Sequence, residues 1–256
     1  DGHGFKAGGY GRNGSSFPSP VPQHTVQFCL AVRNRVSGFY ANHHTGRLNW
    51  ISNTAYRNRV NYNLLCTLSD NLTDVPGYDQ YMKNNLGYAA GNSEVTNLGS
   101  AEDNDVTHNY FTLPVSVSGA DFESLDEALL TQPRQANGDL PEIALVRLVA
   151  GSDLIDQGLS VGFPHHGSAP DLGAFEHGPA NRPHLEIAPA PNGAVRLTFS
   201  GLHGQGYGVR AATDPALSPG SLWELLSAGT FTSSPESYED VEAPGYFRRF
   251  YRIQVP

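Results

Sequence analysis

Lys6 is the residue of this sequence whose type and setting first suggest catalysis. It follows Gly4 and Phe5 in a short strand-like segment, and it is one of only two lysines among 256 residues, with arginines as the other basic residues around it. Neighbouring positive charge and partial burial would favour the neutral amine, the form that removes a proton from a substrate. A solvated lysine on a strand is the alternative. We therefore treat Lys6 as a candidate general base.

A second segment has the same pattern as the one that carries Lys6. Gly4-Phe5-Lys6 aligns with Gly38-Phe39-Tyr40 farther along the chain. Side chains alternate across a strand, so Lys6 and Tyr40 would share an outward face if the two phenylalanines stack inward. Tyr40 is therefore a candidate for contact with the substrate.

Two adjacent histidines, His43 and His44, lie in the turn that follows this segment. Adjacent side chains diverge in an extended segment and no third ligand has suitable spacing, so the pattern does not favour zinc. Hydrogen bonds to a substrate and plain packing of the turn are the two interpretations left open. We take both histidines as candidate substrate-binding residues.

A repeat of 24 residues must position these side chains. Residues 31–36 (AVRNRV) return as residues 55–60 (AYRNRV), and apolar residues typical of short strands precede each copy. A unit this short cannot bury its apolar face alone and must stack on its neighbour. Strands with Gly and Asn at the corners predict coils of a parallel β-helix, whereas the ladder of leucines needed for leucine-rich repeats is missing. Stacking would place Asn34 beneath Asn58, where buried amides can hydrogen-bond the turns.

Basic residues are concentrated in the first part of the chain. Residues 1–66 hold seven basic residues and one acid, a net charge of +6, whereas residues 67–256 hold nine basic residues and 24 acids, a net charge of −15. Such asymmetry predicts a local anion-binding surface. Arg33, Arg35, Arg57 and Arg59 could pair with carboxylates of a substrate or form a solvated ladder on another face. Nucleic acid is not predicted as a partner, because no nucleic-acid-binding motif is present.

Composition and spacing predict an all-β chain with two domains. The 28 glycines, 18 prolines and low charged fraction are typical of turn-rich β proteins. Residues 179–183 form a linker by composition, which separates a β-helix of residues 1–178 from a small antiparallel β-sandwich of residues 183–256. Cys29 and Cys66 do not match the repeat offset, so we expect thiols rather than a disulfide. In the second domain, Trp223 and Tyr251 could form a sugar platform, but core packing is the commoner role of such aromatic residues.

The sequence also bears on membrane insertion and on export. No apolar run approaches the roughly 20 residues that span a bilayer. The chain begins Asp-Gly-His-Gly without an initiator Met or a signal segment, so any export signal has been removed or lies outside it. We expect a monomer.

The order of several motifs resembles a known enzyme family. Residues 2–9, 38–44, 53–58, 151–156 and 169–176 together resemble the C-terminal part of family nine polysaccharide lyases, which are pectate lyase-like right-handed parallel β-helices. The last 75 or so residues look like a β-sandwich found at the C-terminus of many secreted bacterial proteins. The resemblance therefore implies a right-handed β-helix followed by a separate module.

In that family the lysine of the Gly-Phe-Lys motif is the catalytic base, which corresponds to Lys6. The implied reaction is β-elimination on a uronate, in which the base removes the C5 proton and the C4 glycosidic oxygen leaves. Calcium bound to the carboxylate acidifies that proton. The family's calcium ligands are aspartates upstream of the lysine, so we expect them upstream of residue 1 and assign no metal ligand within this chain. A fragment without them is expected to be inactive.

The resemblance implies a secreted enzyme that acts on an acidic plant polysaccharide. Polygalacturonate is the first candidate substrate and rhamnogalacturonan the second, because the base and the uronate are shared. A function of another class is a carbohydrate-binding or surface-attached β-helix without catalysis. A hydrolase is disfavoured, because it needs paired carboxylates and residues 2–66 contain no acid.

Overall fold

The computed structural model shows an all-β protein. It describes residues 2–10, 20–73, 80–99, 104–135, 138, 140–178, 184–201, 203–214, 223–232 and 235–255, so the predicted linker of residues 179–183 lies outside the described residues. The chain divides into two compact units, residues 1–159 with 169–177 and residues 160–168 with 178–256. Within the described ranges, none of the helices is long and apolar enough to cross a membrane.

Short parallel strands build the first unit. In chain order they are β1 (Phe5–Lys6), β2 (His24–Gln27), β3 (Leu30–Val32), β4 (Ser37–Tyr40), β5 (Leu48–Ile51), β6 (Thr54–Tyr56), β7 (Val60–Asn63), β8 (Gln80–Lys83), β9 (Leu86–Tyr88), β10 (Ser93–Thr96) and β11 (Asp105–Val106). The first sheet contains β1, β4, β7 and β10, the second β2, β5, β8 and β11, and the third β3, β6 and β9. Successive coils add strands to the same sheets, which confirms the predicted β-helix.

The predicted 24-residue offset sets the register between the two coils that carry the repeat, in the second and third sheets. It pairs β2 with β5 and β3 with β6, residue by residue along each strand. In the first sheet, Phe5 pairs with Phe39, and Phe39 pairs with Tyr62. Their rings stack with centroids 5.0 Å apart at both steps, and Phe39 and Tyr62 are fully buried. The predicted inward stacking of Phe5 and Phe39 is confirmed.

Buried asparagines close the corner between the second and third sheets. Asn53 Nδ2 donates to Asn85 Oδ1 at 3.0 Å, and Asn85 Nδ2 donates to Asn109 Oδ1 at 2.8 Å. Each Asn also bonds the backbone of its neighbouring coil, as in the bond from Asn85 Nδ2 to Trp50 O at 2.8 Å. Turn groups that are out of reach of water are thereby satisfied.

The corner between the third and first sheets uses the same device. Asn34 Nδ2 and the Asn34 backbone N–H both donate to Asn58 Oδ1, at 2.8 and 2.9 Å. Asn58 Nδ2 in turn donates to Asn61 Oδ1 at 2.9 Å. The predicted position of Asn34 next to Asn58 in the stack is therefore confirmed.

His44 is fully buried at the corner between the first and second sheets. Its ring stacks on His24 with centroids 4.5 Å apart, and Tyr10 lies against both rings. His44 Nε2 is 3.0 Å from Pro22 O, which can only accept, so this nitrogen carries the proton. Burial and then the neighbouring His24 lower the pKa of His44 to about 4, against the opposing effect of the Pro22 bond. The buried ring is therefore neutral at neutral pH.

The second unit contains two antiparallel sheets. Its described strands are β12 (His184–Pro189), β13 (Val195–Ser200), β14 (Gly206–Ala212), β15 (Glu224–Thr230), β16 (Glu236–Asp240) and β17 (Phe250–Gln254). One sheet has the order β12-β13-β16 and the other β15-β14-β17. Both sheets contribute to one apolar cluster, which includes Leu197, Phe199, Val209 and Phe231. The predicted antiparallel module is confirmed.

We expect Asn85→Ala to lower the free energy of unfolding by about 3 kcal/mol, because it leaves several buried groups of adjacent coils without partners. Asn49→Ala is the matched control, since Asn49 bonds Thr25 and Arg47 on the outer side of the second sheet. The measurement is urea denaturation followed by circular dichroism. A loss for Asn85→Ala no larger than that for Asn49→Ala would contradict this account.

Stability should also depend on pH through His44. The pKa of His44 is lowered on folding, so the unfolded chain binds the additional proton as the pH falls below 6.5 toward about 4. The stabilising contribution is thus complete above pH 6.5 and is lost toward pH 4. His44→Gln keeps a donor for Pro22 O without a titrating group, and it should flatten this part of the stability profile. Equal slopes for parent and variant would refute the assignment.

Candidate active site

The outer face of the first sheet brings together residues that are far apart in the sequence. Lys6 on β1 pairs with Tyr40 on β4, Tyr40 pairs with Asn63 on β7, and Asn63 pairs with Thr96 on β10. These four residues follow the inward-facing residues of their strands, so alternation turns them outward. The predicted shared face of Lys6 and Tyr40 is confirmed. We call this row of four residues the outer row.

Lys6 is solvent-exposed. The partial burial expected from the sequence is therefore wrong for Lys6, whose side chain lies on the outward face of β1. Exposure makes the amine accessible to a large polymer. The residue before β1 is tightly constrained, since a Cβ at Gly4 would lie 2.7 Å from Gly38 O. Only glycine fits there, which fixes how the chain enters β1.

His3 belongs to this site and was missed by reasoning from the sequence. Its ring stacks on Tyr40 with centroids 4.4 Å apart and an interplanar angle of 21°. Burial and then the positive charge of Lys6 lower the pKa of His3, so its ring is neutral at neutral pH. Its Nδ1 atom is buried and has no hydrogen-bond partner among the described residues. The only signal in the sequence was a histidine between two glycines just ahead of Phe5-Lys6.

Asn63 and Thr96 continue the outer row away from Lys6. Asn63 Oδ1 accepts from Asn97 Nδ2 at 2.9 Å and from the Leu65 backbone N–H at 3.3 Å. These bonds hold the amide of Asn63 in one orientation. The outer row thus presents an amine, an aromatic ring and an amide on successive coils, which are groups suited to a sugar chain.

Arg35 and Arg33, two of the four arginines that the sequence suggested for carboxylate binding, lie in different places. The side chain of Arg35 passes Gly2, and a Cβ on Gly2 would be 3.5 Å from Arg35 Nε. Arg35 is thus next to the segment that leads into Lys6. Arg33 follows β3 of the third sheet, and its Nη1 is 2.9 Å from Glu127 Oε2. Arg57 binds the other oxygen of the same carboxylate at 3.1 Å.

His43 and His44 are buried and lie outside the outer row. His43 is 5% exposed, and its Nδ1 is 2.7 Å from Thr67 O and 3.0 Å from Leu68 O. His44 is fully buried at the corner described above. Of the two interpretations left open by the sequence, the observed contacts are those of turn packing. We therefore leave both histidines, together with Arg33, out of the face considered below.

The residues present do not fit a metal site. Across the described ranges, no group of three or more His, Cys, Asp or Glu side chains is arranged to hold a metal ion. The outer row itself contains no carboxylate, and its one amide oxygen, Asn63 Oδ1, already accepts two hydrogen bonds, so the row lacks the set of oxygen ligands that calcium prefers. The chemistry that this face itself offers is proton abstraction by an amine and binding of anionic or polar groups.

Comparison with known proteins identifies the type of β-helix. The family described as "Pel9A-like, right handed beta helix region" matches residues 1–85. Pectate lyase L from Dickeya chrysanthemi is 36% identical over 177 residues, and pectate lyase L from Dickeya dadantii is 34% identical over the same length. Both alignments cover 69% of this chain and 37% of the relative.

Two solved structures of polysaccharide lyases are also similar to this chain. The crystal structure of pectate lyase Pel9A is 34% identical with a TM-score of 0.57, over 70% of this chain and 40% of that one. A rhamnogalacturonan lyase is 41% identical with a TM-score of 0.52, over 59% of this chain and 37% of that one. The chain thus spans about two fifths of the length of these relatives. Its first unit is a right-handed β-helix similar to those of the family nine pectate lyase-like proteins.

Proposed function

We propose that this β-helix is part of a polysaccharide lyase that cleaves polygalacturonate by β-elimination, with Lys6 as the base. The observation that carries the proposal is the exposed Lys6 on the outer row, within the residues that match the Pel9A-like family. Two relatives with the name pectate lyase L support the substrate class. The same substrate implies a secreted protein whose partner is an acidic plant polysaccharide.

The reaction that we assign to Lys6 needs one proton transfer. The neutral amine takes the C5 proton, which is acidified by the neighbouring carboxylate of the uronate. The electron pair of the C5–H bond forms the C4–C5 double bond, and the glycosidic oxygen leaves C4 with the bonding pair. The leaving oxygen then receives a proton from solvent. Lys6 is the only residue that we place in contact with the reacting atoms.

The neighbours of Lys6 have binding roles in this proposal. The stacked rings of His3 and Tyr40 form a rigid wall beside the amine, against which a sugar ring can lie. Arg35, at the entrance to β1, is placed to pair with the carboxylate of a neighbouring uronate. The neutral ring of His3 adds no positive charge that would compete with Arg35 for this anion.

Calcium stays a proposal, with ligands expected upstream of residue 1. The described residues do not fit the ion, so no step of the mechanism is assigned to it. The activity assay below therefore uses the full-length protein, with Ca²⁺ and with a chelator as separate arms. Calcium-dependent activity from residues 1–256 alone would show that the expected position of its ligands is wrong.

Rhamnogalacturonan is the second candidate substrate. It is supported by the rhamnogalacturonan lyase structure, which is 41% identical to this chain over the aligned part. Both polymers would present a uronate to Lys6. The difference between them lies in the sugars that flank the reacting unit. A non-catalytic carbohydrate-binding β-helix is the remaining alternative, and it predicts binding to either polymer without formation of a double bond.

We expect Lys6→Ala to lower kcat on polygalacturonate by roughly 10²–10⁴-fold, the usual contribution of a positioned base. Lys6→Arg should lose the same activity, because arginine does not give up its proton and so cannot act as a base. KM should change only a few-fold, because a long basic side chain is still present for binding. The assay follows the ultraviolet absorbance of the new double bond, on polygalacturonate and on rhamnogalacturonan. Arg196→Gln, in the second unit, is the control for a surface cation. Full activity of Lys6→Ala would exclude Lys6 as the base.

Arg35 and Arg33 provide a matched test of the binding face. Arg35→Gln should raise KM several-fold with little change in kcat. The lost contact to a carboxylate would be equally strong in the bound substrate and in the transition state. Arg33→Gln should leave KM within about twofold, since Arg33 already pairs with Glu127. Steady-state kinetics on polygalacturonate give both constants. The opposite ranking of the two variants would move the binding face to the third sheet.

A further inference from the structure

The second unit carries two arginines directly opposite each other on neighbouring strands. Arg210 on β14 and Arg252 on β17 are register partners in an antiparallel pair. Val209 and Ala211, on either side of Arg210, are buried in the core of this unit. Alternation therefore turns both arginines to the outer side of their sheet, where they are partly exposed. We call Arg210 and Arg252 the arginine pair.

The charges of the arginine pair are not neutralised within the described residues. Like charges directly opposite each other destabilise a sheet. Arg196 and Arg249 in the same unit form ion pairs, at 3.3 Å with Glu239 and at 3.0 Å with Glu224. Neither member of the arginine pair has an ion-pair contact with a described carboxylate. The unit therefore keeps two adjacent cations without the carboxylate partners that Arg196 and Arg249 have.

Trp223 holds the two guanidinium groups in place. Arg210 Nη1 donates to Trp223 O at 3.0 Å. The guanidinium carbon of Arg252 lies 4.6 Å from the centroid of the Trp223 ring. These contacts use one N–H of Arg210 and one face of Arg252, which leaves most of the donors of both groups. The Nε atoms of both arginines are buried and have no hydrogen-bond partner among the described residues.

We propose that the arginine pair binds a carboxylate of an acidic glycan. A carboxylate between the two groups would relieve their repulsion and accept hydrogen bonds from the planar guanidinium forks. Trp223 contributes by fixing the position of both cations, because its buried ring is covered by Arg252. The choice of a uronate among carboxylates rests on the proposed function of the first unit. The second unit would then tether the protein to the polymer on which its β-helix acts.

The test observes the arginine side chains of the whole chain directly. We would record the Nε–Hε signals by nuclear magnetic resonance while titrating a short galacturonate oligomer. The Arg210 and Arg252 signals should shift together with one dissociation constant, and the Arg196 signal should stay in place. The neutral methyl ester of the oligomer should cause no shift. Because this measurement involves no catalysis, its result is independent of whether Lys6 acts as a base.

Two variants and one competing anion make the result decisive. Arg210→Gln and Arg252→Lys should each raise the dissociation constant about tenfold, the latter because lysine keeps the charge but loses the fork. Arg196→Gln should change it less than twofold. Unmoved Arg210 and Arg252 signals in the parent chain would overturn the proposal even if a variant failed to fold. Equal shifts with inorganic sulfate at the same concentration would overturn the assignment to a uronate.

Discussion

Hydrogen bonds between stacked asparagines are the interaction on which the β-helix depends. A coil that turns three times buries backbone groups at its corners, where no strand partner is available. Asn53, Asn85 and Asn109 satisfy those groups on successive coils, with each amide bonded to the next. An asparagine has the donors and the acceptor for both its own coil and its neighbour, and an apolar residue has neither. The repeat therefore stacks in one register.

That register is also what makes an outer row possible. Lys6 reaches the surface because Phe5 lies inside against Phe39, and Tyr40 is beside it for the same reason. A shift by one residue would exchange the two faces, and the amine would point into the apolar core. The positions of the outer-row side chains are thus determined by the packing of the buried residues on the inner face of the same sheet. All four residues of the outer row lie on strands, whereas His3 and Arg35 lie in the segments that lead into β1 and β4.

The sequence was sufficient where contacts follow the repeat and insufficient where they do not. The pairs Asn34 with Asn58 and Phe5 with Phe39 came from aligning similar segments. Glu127 is 94 residues from Arg33 and 70 from Arg57, and no periodicity connects them. The stacking of His3 on Tyr40 depends on how the chain enters β1, and the close approach of Gly4 to Gly38 that fixes this entry is visible only in the folded chain. The burial of His44 depends on His24 and Pro22, which a separate segment of the chain contributes.

Net charge by segment was a useful guide to anion binding, but only local geometry decides which cations are available. Glu127, from the acidic part of the chain, neutralises Arg33 and Arg57 of the basic part, so the excess at that corner is largely cancelled. In the acidic part, the ion pairs of the second unit leave Arg210 and Arg252 uncompensated by any carboxylate that the structure describes. An anion responds mainly to charges within about 8 Å at physiological salt. A segment with negative net charge can therefore still present a binding site for a carboxylate.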